Sequence, residues 1–216
     1  MVELRKRPST TNVAPPPAKR SNAKKAEPKV NASTTAKPEK KAAIVEESTV
    51  KAEETKAESK AVKSGDTIKP DGFGGKFSLT DGTEEATLKT LLEKSKTGVI
   101  IFTYPKASTP GCTKQACLFR DSYTDLTASG YDIYGMSRDS VKANTNFKQK
   151  QNLQYTMICD ESGDLIKALG FHKAPKSTTR GVTVIGKDGK VHVLMAGGPD
   201  ATVDAVRPIV KDVAKA

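Results

Sequence analysis

The 216-residue sequence predicts an α/β domain, a central mixed sheet flanked by helices, preceded by a disordered basic tail. Three observations carry this reading. Residues 1 to 63 contain no Cys, Phe, Trp, Tyr or Gly, whereas every aromatic residue and all three cysteines lie beyond Gly65. After that point, strand-length runs of β-branched residues alternate with segments whose apolar residues recur every three or four positions. Near the C-terminus, two alternating runs flank Lys187-Asp188-Gly189-Lys190, which marks a hairpin rather than another crossover.

A segment with almost no large apolar groups cannot bury enough surface to offset the entropy of ordering its backbone. Residues 1–63 are therefore read as a disordered tail, and residues 64–216 as one domain large enough for a single core. Phe77-Ser78-Leu79 followed by Asp81-Gly82 suits a short edge strand and its turn. From Ala86 to Lys94, Leu88, Leu91 and Leu92 fall at helical spacing. Gly98 introduces Val-Ile-Ile-Phe-Thr-Tyr, a run typical of a strand buried on both faces, and Pro105 ends it. A helix is expected from Cys112 to Ala128, with Cys112, Ala116, Phe119 and Tyr123 along one side. Tyr131 to Met136 is a second buried strand, and Ser140 to Lys150 a polar helix capped by Ser140. Tyr155 to Cys159 is a third strand, and Gly163 to Leu169 a short helix ending at Gly170. Gly181 to Ile185 and Val191 to Met195 form the hairpin. A last helix, Thr202 to Ala214, presents Val203, Val206, Val210 and Val213 on one stripe. This order implies a layered sheet, parallel at its start and antiparallel at its end, which is the organisation of thioredoxin-like folds.

Charge is concentrated in the tail. Its 63 residues hold 15 Lys and Arg against 8 Glu, leaving 21 basic and 17 acidic residues in the domain. Arg5-Lys6-Arg7 and Lys19-Arg20 with Lys24-Lys25, separated by a Pro-rich spacer, form two basic clusters of the bipartite nuclear-import type. The tail is thus expected to engage an importin-type receptor and to place the protein in the nucleus. Pro15-Pro16-Pro17 and the lack of an apolar helical face speak against a mitochondrial transit peptide. Contact with nucleic acid would be weak, non-specific and salt-sensitive, because Glu is interleaved and no aromatic side chain is present for stacking. No run approaches the roughly 20 apolar residues that cross a bilayer, and no apolar leader segment opens the chain, so no membrane partner is expected. Three cysteines do not form a secreted disulfide framework; they read as intracellular thiols kept for reactivity.

Of the three, Cys112 stands where a buried strand gives way to a helix. A cysteine in a first helical turn faces unpaired backbone N–H groups and the positive end of the helix dipole, both of which favour the nucleophilic thiolate. Pro105, Thr109 and Cys112 have the spacing P-x-x-x-T-x-x-C, and Cys117 follows five residues later. The run from Tyr104 to Asp121 resembles the peroxiredoxins of the bacterioferritin-comigratory-protein (PrxQ) class over about residues 65 to 215, and with the basic tail it is most similar to the nuclear fungal members.

That resemblance implies a thiol peroxidase without cofactor or metal, reducing hydrogen peroxide and alkyl hydroperoxides and recycled by thioredoxin, as a monomer or weak dimer. It assigns Cys112 as the peroxidatic cysteine and Cys117 as the resolving one. The Thr109 hydroxyl would align thiolate and peroxide, and Pro105 and Pro110 would stiffen the loop and limit water access. Arg180, at the start of the strand that leads into the hairpin, matches the family's catalytic cation. Arg120 competes for that role but lies about 12 Å along the helix from Cys112, so it is expected to pair with Asp121 or Asp125. On an intact helix the two cysteines are too far apart to bond, so the resemblance implies local unwinding.

Other readings are weaker. The pair C-x4-C lacks a second pair, and His172 and His192 are isolated, so no metal site is expected. A thioredoxin-like disulfide oxidoreductase would carry C-x-x-C, and a redox-sensing chromatin protein would rest on the tail alone. Cys159 is read as a buried inert thiol, His192 as surface, and Lys106 as a solvated lysine beside the reactive loop. Gly72-Phe-Gly-Gly75 lacks both the strand before it and the Lys-Ser/Thr after it that a phosphate loop needs, so it is a loop only.

Overall fold

A computed structural model describes residues 62 to 213. Of the expected tail only Val62 and Lys63 fall within that range; the disordered segment, the import clusters and Ala214 lie outside the described residues.

The apolar run at the centre of the sequence forms the centre of the sheet. β2 (Gly98–Thr103) is buried along its whole length. On one side it pairs in parallel with β3 (Tyr131–Ser137), setting Ile100 opposite Ile133; on the other it pairs antiparallel with β7 (Gly181–Gly186), setting Ile100 opposite Val184. β4 (Thr156–Cys159) continues the parallel side, and β1 (Ser78–Leu79) closes that edge antiparallel to β4. β8 (Val191–Ala196) pairs with β7 at the opposite edge, giving the order β1-β4-β3-β2-β7-β8. The mixed, thioredoxin-like sheet expected from the sequence is present.

Alternation along β2 feeds two apolar layers. Val99 and Ile101 face α1 (Leu88–Lys94) and α5 (Asp164–Ala168) through Leu88, Leu91, Leu92, Leu165 and Ile166. Ile100 and Phe102 face the opposite layer, where Phe119 stacks on Phe102 at 4.4 Å between ring centroids and Cys112 is buried beside Ala116. No described helix is long and apolar enough to cross a membrane.

Three expected helices have different bounds, each for a local reason. α1 starts at Leu88 rather than Ala86, because Ala86 pairs with Phe77 and Thr87 caps the helix in a reciprocal box with Thr90. The helix expected from Cys112 to Ala128 is two: α2 (Pro110–Asp121), with Pro110 in its first turn, and α3 (Tyr123–Thr127), with Ser122 at φ −96°, ψ 9° between them. The helix expected from Thr202 is α6 (Pro199–Asp204) followed by α7 (Arg207–Val213). Pro208 explains this break, since its ring would clash with the carbonyl of Asp204 and it has no N–H to continue the ladder. The apolar stripe survives, with Val203, Val206 and Val210 buried. α4 (Val141–Lys150) is capped by Ser140 as expected, its hydroxyl accepting from Ala143 N. A small hairpin of β5 (His172–Lys173) and β6 (Ser177–Thr178) precedes Arg180, an addition to the expected elements.

Gly72–Gly75 is a loop, as expected. Gly74 has φ +72° and lies so close to α5 that a Cβ there would collide with Leu165.

Candidate active site

Chain geometry at the end of β2 brings the site together. Thr103 is the last residue of β2 and pairs with Gly181, the first of β7. Its hydroxyl donates to Thr179 O at 2.8 Å, which draws Arg180 to the same end of the sheet from which α2 departs. Residues 68 positions apart in sequence therefore meet because two neighbouring antiparallel strands end and begin together.

The connecting loop is tied down from beneath. Tyr104 is fully buried and its hydroxyl donates to Asn144 Oδ1 at 2.7 Å; burial drives its pKa far above the ordinary phenol range, so it remains a donor. Ala107 N donates to Asp139 Oδ2 at 2.7 Å, and Ser137 Oγ donates to the same oxygen at 3.0 Å. Ser108 then takes the left-handed conformation, with φ 61°, which turns the chain into α2. Thr109 is the N-cap residue but makes no side-chain cap; its hydroxyl donates to Lys106 O at 3.0 Å. A hydroxyl that donates its proton to the loop keeps its oxygen lone pairs for another donor.

Cys112 is the third residue of α2 and is 1% exposed. Arg180 Nη2 lies 3.4 Å from its Sγ. The other guanidinium nitrogen, Nη1, donates to Gly111 O at 3.0 Å and to Gln115 Oε1 at 2.8 Å. Gln115 is fully buried and fixed in turn, its amide nitrogen donating to Thr202 Oγ1 at 3.2 Å and to Gly181 O at 3.4 Å. The cation is thus held in place by the helix that carries the sulfur, by β7 and by α6. A guanidinium and first-turn helix amides in these positions would stabilise negative charge on the sulfur.

Gln115 was not singled out from the sequence. The available signal was a polar residue one turn after Cys112, adjoining the face that Cys112 shares with Ala116 and Phe119, where burial demands a partner.

The other residues that the sequence singles out fall in separate places. Cys117 lies on α2, partly buried, with Sγ 3.7 Å from Gln151 Oε1. Cys159 ends β4, 2% exposed, its sulfur accepting from Asn144 Nδ2 at 3.2 Å, and burial pushes its thiol pKa up. All three cysteines are free. Arg120 is occupied as expected, with Nε on Asp121 Oδ1 at 2.9 Å, and its Nη1 also donates to Gln151 O at 2.9 Å. Pro105 and Pro110 are exposed. Pro105 lies two residues beyond the end of β2, Pro110 is the first residue of α2, and Cys112 itself is buried in the layer under the sheet. Among the described residues no three His, Cys, Asp or Glu side chains converge as a metal site would require.

The sequence and the fold have counterparts in known proteins. Residues 74–194 match the model of the AhpC/TSA family. The chain is 55% identical over 76 residues to Peroxiredoxin bcp1 of Schizosaccharomyces pombe, a stretch that spans 35% of this chain and 39% of that relative. It is 37% identical over 129 residues to the putative peroxiredoxin bcp of Coxiella burnetii, covering 56% of this chain and 83% of the relative. Among solved structures, Peroxidoxin BcpB of Mycobacterium tuberculosis superposes with a TM-score of 0.61 at 28% identity, over 69% of this chain and 97% of that one. The chain therefore belongs to the AhpC/TSA family, among peroxiredoxins of the bacterioferritin-comigratory-protein and PrxQ type.

Proposed function

We propose that this chain is a thiol-dependent peroxidase acting on hydrogen peroxide and alkyl hydroperoxides, with Cys112 as the nucleophile. The observation that carries this is the Arg180 guanidinium 3.4 Å from the Cys112 sulfur at the start of α2. The thiolate attacks one peroxide oxygen and the O–O bond breaks. Cys112 leaves as a sulfenic acid, and the departing alkoxide or hydroxide, stabilised by Arg180, takes up a proton. Thr109, whose oxygen is free to accept, orients the peroxide, and Pro105 sets the loop that carries it.

Cys117 then attacks the sulfenic sulfur, forming an intramolecular disulfide and releasing water. A thioredoxin-type dithiol reduces this bond and restores both thiols, and neither cofactor nor metal takes part. Because α2 is continuous from Pro110 to Asp121, five residues separate the cysteines by about 7.5 Å of rise and about 140° of rotation. A disulfide tolerates a Cα separation of only roughly 7 Å, so the helix has to unwind before the bond closes. After one equivalent of peroxide, mass spectrometry is expected to locate a Cys112–Cys117 bond, with faster amide exchange across residues 110 to 120 in the oxidised form. Equal protection of that segment in both forms would rule out the unwinding step.

The basic tail supports a nuclear location through an importin-type receptor. Deleting residues 1–63 is expected to abolish nuclear accumulation while leaving peroxide turnover by the monomeric domain intact. Import that persists removes the assignment. Loss of salt-sensitive chromatin binding on the same deletion would favour a second reading, a chromatin-associated redox sensor.

A further inference from the structure

The structure holds the stretch between the two cysteines from outside the helix, and that hold rests on residues no step of the peroxide reaction uses. Tyr155 Oη donates to the main-chain carbonyl of Ala116 at 2.8 Å. That carbonyl lies between Cys112 and Cys117, in the segment that has to unwind. Tyr155 and Ala116 are 3% and 0% exposed, so the bond is shielded from competing water. The ring has little freedom, standing edge-on to Phe102 at 5.6 Å and stacked on Tyr123 at 6.4 Å between centroids. Burial keeps the phenol pKa well above its ordinary value, so the group remains a donor.

Two more contacts come from the same short connection between α4 and β4. Gln151 Oε1 receives the Cys117 thiol at 3.7 Å, and Gln151 O receives Arg120 Nη1 at 2.9 Å. Residues 151 to 155 thus hold α2 at Ala116, Cys117 and Arg120. The start of the helix is held by different partners, Arg180 at Gly111 and Cys112 and Thr202 at Gln115, which adjoin the Cys112 sulfur.

We propose that Tyr155 is a positioning residue for disulfide formation: together with Gln151 it latches the second half of α2, and release of this latch governs how fast Cys117 reaches the Cys112 sulfenic acid. The inference rests on the peroxidase reading above and names what controls its second step. The latch matters because the sulfenic acid has two fates. Condensation with the Cys117 thiol yields the disulfide and water. Attack on a second hydroperoxide breaks its O–O bond, oxidises the sulfur to sulfinic acid and releases water from hydrogen peroxide or the alcohol from an alkyl hydroperoxide. A tighter latch lengthens exposure to the second fate.

The test uses the full chain, reduced, mixed with hydrogen peroxide, quenched with acid at intervals and read by mass spectrometry. In Tyr155→Phe, sulfenic acid is expected to form at the wild-type rate, while the Cys112–Cys117 bond closes about two- to tenfold faster, the effect of losing one hydrogen bond. Under excess peroxide the yield of sulfinic acid per turnover falls in the same proportion. Closure at the wild-type rate or slower overturns the latch. So does equal acceleration in Ile158→Val, which loosens the opposite layer without touching α2. If the wild-type chain forms no Cys112–Cys117 bond at all, the underlying peroxidase cycle fails, a result distinct from a bond that closes at an unaltered rate.

Discussion

Cys112→Ser is expected to lower hydroperoxide turnover by about 10³-fold or more, to the level of the uncatalysed reaction. A serine hydroxyl is not ionised near neutral pH, and oxygen is a poor nucleophile towards a peroxide, so neither the guanidinium nor the helix amides have an anion to stabilise. The exchange of sulfur for oxygen keeps a hydrogen-bond acceptor near Arg180 Nη2, so the surrounding contacts from Gly111 and Gln115 remain. Thermal unfolding close to that of the parent, combined with loss of turnover measured against a small dithiol reductant, would separate chemistry from folding. Substantial residual activity would move the nucleophile to Cys117 or Cys159.

Arg180→Met is expected to cost about 10²–10³ in kcat/KM while leaving Cys112 in place, the usual effect of removing one preorganised donor from a site of developing charge. Methionine fills much of the same volume but cannot donate. The loss also leaves Gly111 O and Gln115 Oε1 without their shared donor, at a stability cost of about 1–3 kcal/mol. Lysine should not restore the rate, because Arg180 reaches the sulfur with one nitrogen while anchoring itself through the other, and a single ammonium cannot do both at these positions. Stopped mixing that follows sulfenic acid formation reads this step directly. A fall of less than about tenfold would assign most of the charge stabilisation to the first turn of α2 instead.

The sheet was the most legible part of the molecule. Val99 to Phe102 is apolar at every position because both faces are covered, and such a run has no helical alternative in so few residues. The strand order was not legible, since pairing across β2 depends on contacts far apart in sequence. Breaks at Ser122 and before Arg207 escaped the periodicity because apolar spacing continues through both; only Pro208 carried a local signal. The β5–β6 hairpin, two polar residues per strand, has no pattern to read. At the site, Cys112 was visible from its place between strand and helix, whereas Arg180 could be assigned only through family resemblance. Gln115 carried only a weak signal, its place beside the Cys112 face, because a glutamine on a helix reads as solvent-facing until its partners, Arg180, Gly181 and Thr202, are brought together by the fold.

The interruption at Ser122 limits α2 to 12 residues. Helices shorter than about 12–15 residues are marginal in water on their own, because nucleation is costly and few propagating bonds follow. α2 therefore owes its persistence to its neighbours more than to its own ladder, and α3, with Leu126 seated in the core, has no need to melt with it. A continuous helix to Thr127 would have made unwinding a larger cooperative event. In the cycle proposed above the bend would act as a fuse: it would confine the disordering to a single short segment and insulate the sheet from each turnover.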